Sequence, residues 1–303
     1  MRFANTLKAL LGVAAGLAVT GAAQAQQAVQ GYAYPWQMGL QDANGPSMEG
    51  IHWFHNWLLL PIITVITLFV LALMIYVMVK FNAKANPVPS RTTHNTTVEV
   101  LWTVIPILIL VVIAIPSFRL LYLQRDIPTP DMTIKVTGNP SWNWTYEYPD
   151  LGLNEDGTAK VSFTAYLRDE ARDLQTARDA NVPYLLATDV PMVVPVGKIV
   201  KLIVTSDPDG IIHAWAMPTL GSKIDAIPGR LNEEWFQART EGVFYGQCSE
   251  LCGKDHAYMP IEMHVVSEAD FAAWSEKVRT AGVEEARDYL FAMLKAKGQL
   301  VQK

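Results

Sequence analysis

Residues 248–260 read Cys248-Ser249-Glu250-Leu251-Cys252-Gly253-Lys254-Asp255-His256-Ala257-Tyr258-Met259-Pro260. The two cysteines are the only ones in a chain of 303 residues. His256 follows four residues after the second cysteine, and Met259 three residues after that. Thiolate, imidazole and thioether donors crowded into one loop suit copper and suit magnesium or calcium badly. Such a loop works only if a rigid frame holds it and a distant segment completes it. His213 is the natural distant donor, in Ile211-Ile212-His213-Ala214-Trp215, just after the turn Asp207-Pro208-Asp209-Gly210. One ligand on an early strand and several on a late loop is how a β-sandwich builds such a site. Two thiolates, two imidazoles and a thioether exceed what one copper needs, so bridging thiolates could hold a pair. Two rival readings stay open: a Cys248–Cys252 disulfide, and a closed zinc site of two cysteines and two histidines that leaves Met259 without a role. Taken singly, His213 reads as a core histidine and Met259 as packing.

The stretch around this loop is patterned as strands. Residues 133–137 alternate in polarity with a period of two. Further strands are expected at 142–148, 160–166, 184–188, 192–195, 199–205, 211–217, 234–238, 242–247 and 261–266. Glycine, proline and aspartate punctuate them, which predicts an all-β sandwich over residues 124–266. Residues 170–181 read as a charged helical excursion. Residues 267–303 read as helical, opened by a capping box at Ser267-Glu268-Ala269-Asp270 and broken at Gly282.

Upstream the chain changes character. Half of its residues are hydrophobic, which points to membrane segments. Residues 1–25 have the form of a cleaved signal peptide: Arg2 and Lys8, a short apolar run, then Ala23-Gln24-Ala25. Residues 26–56 read as an irregular segment outside the cytoplasm. Residues 57–80 and 98–123 are apolar runs long enough to cross a bilayer, with Trp53 and Trp57 placed as an interfacial belt. The intervening loop, 81–97, is positive, whereas 26–56 carries no Lys or Arg. The positive-inside rule therefore puts the loop in the cytoplasm and both termini outside. The formal charge of −5 becomes −7 without Arg2 and Lys8, so nucleic acid is excluded as a partner and a basic protein is favoured.

The loop Cys248-Ser249-Glu250-Leu251-Cys252-Gly253 with His256 and Met259-Pro260, the hairpin, His94-Asn95-Thr96, 142–148 and 225–230 together resemble cytochrome c oxidase subunit II of bacteria. The resemblance spans nearly the whole chain. It implies a cupredoxin-like barrel on a two-helix transmembrane hairpin in the cell membrane, with both termini periplasmic. It implies a dinuclear copper A centre held by His213, Cys248, Cys252, His256, Met259 and the backbone carbonyl of Glu250. The Glu250 side chain would face a magnesium or manganese ion shared with subunit I. Trp142 would take electrons from cytochrome c, and Glu147, Asp189 and Asp209 would face that donor. Glu99 would lie at the mouth of a proton channel; without the resemblance it reads as an acid favouring a helix N-terminus. Subunit I, subunit III and the lipid bilayer are the implied partners. Oxygen reduction would occur on subunit I, leaving no catalytic acid, base or nucleophile to find here. The sequence departs from the family at Asn143, where a tyrosine is usual, and at Pro140-Ser141, which holds one extra residue. Competing functions are a quinol oxidase subunit, which would lack the copper ligands; a nitrous oxide reductase domain, which would lack this hairpin; and a membrane-anchored copper-delivery protein without redox turnover.

Overall fold

The computed structural model describes residues 31–298, and the expected signal peptide lies outside them. The first helical element begins earlier than expected. Pro46 sits at the helix start behind Gly45, and α1 (Pro46–Trp53) passes through a wider π-turn (Phe54–Leu59) into α2 (Leu60–Lys80). Part of the segment expected to be irregular is therefore helical, because proline is well tolerated at the first helical position and Glu49 complements the first turn. The π-turn lies just before Pro61, which has no N–H to give and crowds the preceding turn. Helix α3 (Thr96–Arg125) is capped by the Asn95 side chain, which accepts the Val98 N–H. Both spans are long and apolar enough to cross a membrane, and their apolar windows are wholly unburied.

The β-domain begins at Met132. Its larger sheet has the order β3-β2-β1-β5-β8, from β1 (Met132–Asn139), β2 (Asn143–Glu147), β3 (Ser162–Ala165), β5 (Ile199–Ser206) and β8 (Asn232–Gln237). Strands β1 and β5 run parallel; the other pairs are antiparallel. A three-stranded sheet, β4-β10-β9, uses β4 (Met192–Pro195), β9 (Gly242–Gln247) and β10 (Pro260–Val266). The pair β6 (His213–Met217) and β7 (Ser222–Ala226) completes the fold. Strand β1 buries every second residue, so Ile134 and Val136 face the core while Lys135 and Thr137 do not. The same core takes Trp144, Tyr146 and Leu202 from one sheet and Phe244, Ile261 and Met263 from the other. Tyr148 stitches the sheets together: its hydroxyl accepts the Val193 N–H at 2.9 Å and donates to the Val193 carbonyl at 3.1 Å.

Residues 184–188, expected as a strand, form turns instead and make one isolated bridge, Leu167 to Thr188. The excursion holds helix α4 (Leu174–Ala180), capped by Asp173. After β10 come α5 (Glu268–Thr280) and α6 (Val283–Ala296), which pack Trp274, Val278, Leu290 and Leu294 into the main core. Ser267 caps α5 by accepting the Asp270 N–H. The Asp270 carboxylate binds the Ser267 hydroxyl and Lys297.

The hairpin is bonded to the β-domain at several points. Trp235 donates its indole N–H to the Leu123 carbonyl at 3.0 Å. Gln124 donates to the Gly221 carbonyl at 3.3 Å, and Arg239 pairs with Glu49 at 2.7 Å. The β-domain is thereby fixed in height and rotation over the membrane spans.

Candidate metal centre

His213 opens β6 at the end of a tight turn. Ser206 donates its hydroxyl to the Ile211 carbonyl at 2.6 Å, and the Asp207 N–H bonds to the Gly138 carbonyl at 3.0 Å. This turn lays the His213 ring across Gly138 of β1. A Cβ at Gly138 would lie 2.7 Å from His213 Cδ2, so a side chain there would displace the imidazole. Trp144 presents an edge to the ring from 5.8 Å. The ring is fully buried and has almost no freedom to turn.

The loop after β9 is fastened at three places. The Ser249 N–H bonds to the Ala214 carbonyl at 3.0 Å, Trp142 donates its indole N–H to Cys252 O at 3.0 Å, and Trp144 donates its own to Met259 O at 3.2 Å. Gly253, at φ 118°, lets the chain turn against the Trp142 ring in a backbone region that L side chains rarely adopt.

These constraints bring the donors together. The Cys248 and Cys252 sulfurs are 3.7 Å apart, and both residues are free cysteines. His213 Nδ1 lies 3.9 Å from the Cys248 sulfur, and His256 Nδ1 lies 3.3 Å from the Cys252 sulfur. Met259 Sδ is 3.7 Å from Cys252, and Glu250 O is 3.3 Å from Cys248. Two donors about 2.0–2.3 Å from one tetrahedral ion stand roughly 3.3–3.8 Å apart. The separations are those of atoms arranged to share metal. Each sulfur has one imidazole beside it, with a weaker donor, the thioether or the carbonyl, at each end. Methionine is part of the set, which the closed zinc reading does not account for. The donor set therefore fits a soft metal such as copper.

Burial, with Cys248 alongside, pushes the Cys252 thiol up to about 12. Burial first, and then the neighbouring His256, hold the His213 imidazole below its usual range. Binding a metal as thiolate must therefore release the Cys252 proton.

The remaining expected residues are spread over the domain. Glu250 turns its carbonyl toward Cys248 while its side chain is exposed. Trp142 is half-buried; its backbone is left-handed at φ 55°, and Lys254 sits 5.7 Å above its ring. The neighbouring Asn143 is buried because its amide donates to Ser141 Oγ at 2.7 Å and its carbonyl accepts from Asn139 at 2.6 Å. Glu147 pairs with Lys135 at 2.7 Å across β1 and β2. Asp189 accepts the N–H groups of Tyr166 and Val190, each at 2.7 Å, so its carboxylate is engaged in a turn. Asp209 is exposed at the turn before His213. Glu99 accepts the Asn95 N–H at 3.2 Å at the start of α3, far along the chain from the donor cluster.

Three residues that build the centre were not expected from sequence: Gly138, Ser206 and Trp144 in its contact with His213. A glycine inside an alternating strand is the one usable signal among them, because it marks a close backbone approach.

A family model described as the periplasmic domain of cytochrome c oxidase subunit II matches residues 132–266, and one for its transmembrane domain matches residues 33–120. The chain is 43% identical over 295 residues to cytochrome c oxidase subunit 2 of Cereibacter sphaeroides, covering 92% of this chain and 93% of that protein. It is 46% identical over 240 residues to a probable cytochrome c oxidase subunit 2 of Rickettsia bellii, covering 79% and 83%. A crystal structure of the periplasmic domain of subunit II from Bradyrhizobium japonicum aligns at 48% identity with a TM-score of 0.42, covering 50% of this chain and 95% of that one. With its two apolar spans, its β-sandwich and its paired cysteines beside a buried histidine, the chain belongs to the cytochrome c oxidase subunit II family and is a membrane-anchored subunit of that oxidase.

Proposed function

We propose that this subunit carries electrons from cytochrome c to the haem of subunit I through a dinuclear copper A centre. The observation that carries the reading is the run of donors around two free sulfurs 3.7 Å apart. His213, Cys248, Cys252, His256, Met259 and the Glu250 carbonyl would hold the metal. When bound, the copper pair supplies a one-electron relay between donor and haem.

The protein's own part is rigidity and access. Buried ligands on fastened backbone move little when charge changes, which favours fast transfer. Trp142 covers the outer side of the loop, and its N–H to Cys252 O gives a bonded path from the surface to a ligand. The exposed Asp209 and the partly exposed Glu147 and Asp189 contribute negative charge for a basic donor, which steers encounter. The exposed Glu250 carboxylate is a hard ligand suited to magnesium or manganese at the subunit I boundary. Glu99 lies at the mouth of the proton channel on the opposite side, and subunit III completes the surroundings. The positive loop faces the cytoplasm of a bacterial cell, and both termini are periplasmic.

Electron paramagnetic resonance of the copper-loaded chain tests this. An unpaired electron shared by two equivalent coppers is the expected outcome. A signal from a single copper, as a delivery protein would give, overturns it. Trp142→Phe removes the indole N–H and is expected to slow oxidation of cytochrome c by ~10-fold, about 1.4 kcal/mol of barrier. Unchanged turnover excludes Trp142 as the intake route.

A further inference from the structure

The excursion between β3 and β4 has a small hydrophobic core of its own. Leu167, Ala171 and Ala187 are buried there with Val182 and Leu185 against them. The copper loop contributes Tyr258, the residue just before Met259, to this cluster. Gln247, just before Cys248, makes a second link by donating to the Leu185 carbonyl at 3.3 Å. The excursion thus touches the ligand loop just before its first donor and just before its last.

What holds the excursion down is a buried polar pair on β10. Glu262 and His264 are 6% and 1% exposed, unusual for an acid and an imidazole on a strand otherwise filled by apolar residues. Glu262 Oε2 accepts the Thr188 N–H at 2.6 Å, and Oε1 lies 2.7 Å from His264 Nε2. A carboxylate only accepts, so His264 donates from Nε2. Phe291 lies across the imidazole at 5.8 Å. Leu185 is held at φ 57°, a left-handed backbone that is strained for a bulky side chain, while its N–H bonds to the Ala171 carbonyl at 2.9 Å. A strained turn persists only where its surroundings fix it.

We infer that Glu262 and His264 form a clamp that seats the 167–188 excursion on β10 and, through Tyr258, sets the positions of His256 and Met259. Both are positioning residues; neither reaches the donor cluster. The inference rests on the copper reading, and the comparison is always with the wild-type oxidase, so a wild type lacking the shared-electron signal counts against that reading alone.

The test uses the whole oxidase carrying Glu262→Ala, Glu262→Gln or Leu185→Ala, with copper release to a chelator and the copper hyperfine pattern as readouts. Residues that orient ligands from behind typically contribute 10–100-fold in metal affinity. Glu262→Ala is expected to speed copper release by about tenfold and to alter the hyperfine pattern. Glu262→Gln keeps an acceptor for Thr188 and is expected to restore the wild-type pattern. Leu185→Ala thins the small core that Tyr258 also packs against without touching the pair, and is expected to shift both readouts in the same direction. If Glu262→Ala does not fold, Leu185→Ala decides. Wild-type release and spectrum in the deciding variant, with only thermal stability lowered, overturn the clamp.

Discussion

At one end of the β-domain, His213, Cys248, Cys252 and Met259 bury donor atoms that face one another at 3.7–3.9 Å with little bonding to the rest of the protein. Between β7 and β8, Glu234 is buried too, yet its oxygens are used. Ser222 donates to it at 2.7 Å and the Lys223 N–H at 3.3 Å. Both clusters are polar and both are shielded from water. One leaves its donors aimed at a common volume; the other spends them on its neighbours. Leaving buried polar groups unpaired is unfavourable unless something binds them. The difference separates a cluster built for a ligand from one built for the fold.

Removing a ligand breaks the first cluster outright. Cys252→Ser replaces a soft donor of the cluster with a hard one. The expected result is no shared-copper resonance and a fall of more than ~100-fold in oxygen consumption driven by cytochrome c, because ligand loss exceeds the effect of altering its support. A variant that keeps the two-copper signal would falsify the assignment of Cys252 to the donor set.

Glu234→Gln probes the second cluster through pH. Burial pushes the Glu234 carboxyl up to about 7 from its ordinary 4.5, opposed by the Ser222 and Lys223 bonds and by Arg125. The folded state therefore holds this proton more tightly than the unfolded chain. That stabilisation is complete below pH 4.5 and disappears as pH rises through about 7. Across that window it amounts to about 3 kcal/mol. Thermal unfolding of the wild type should lose that much stability between the two pH values, and Glu234→Gln should flatten the loss. An identical pH slope in both proteins shows that Glu234 is not the group responsible.

The two clusters were not equally legible in the sequence. Cys248, Cys252, His256 and Met259 could be grouped because their spacing is short and their chemistry scarce. His213 needed only a strand and a turn before it. Glu234 gave no signal, because its partner Ser222 lies on β7, a strand with too few apolar residues to stand out. The membrane spans were legible from apolar length alone, but the start of α1 was not, since Pro46–Trp53 is held by contacts with the β-domain. Residues 184–188 looked like a strand by composition and became turns because Glu262 captures the Thr188 N–H from another part of the chain. Local pattern reports what a segment prefers; burial against distant residues decides where that preference is overruled.

Gly138→Ala sharpens the contrast from the frame side. The added Cβ would meet His213 Cδ2 at 2.7 Å and Trp144 Cζ3 at 3.2 Å, and both side chains are fully buried. Neither can retreat into solvent. Overpacking of this kind costs about 1–3 kcal/mol. Unfolding midpoints should fall accordingly, and the copper hyperfine pattern should change because the displaced ring belongs to the proposed donor set. A loss of stability with an unchanged copper spectrum would mean that Trp144 alone absorbs the strain.

The smallest effect belongs to the surface. Glu147 and Lys135 face each other across β1 and β2, with side chains 21% and 39% exposed. An ion pair in contact with water is worth little, so Glu147→Gln should change unfolding stability by less than ~1 kcal/mol. Its proposed role in meeting the donor is separable by salt. Negative charge attracts a basic partner over a distance that 0.15 M salt shortens to about 8 Å. Without Glu147, the rate of cytochrome c oxidation should fall at low ionic strength and converge on the wild type as salt is added. Lys135→Met, which releases the carboxylate from its partner, should shift the low-salt rate upward. Variants that leave the salt profile untouched would confine Glu147 to the strand pair and leave the exposed Asp209 as the charge that donors meet.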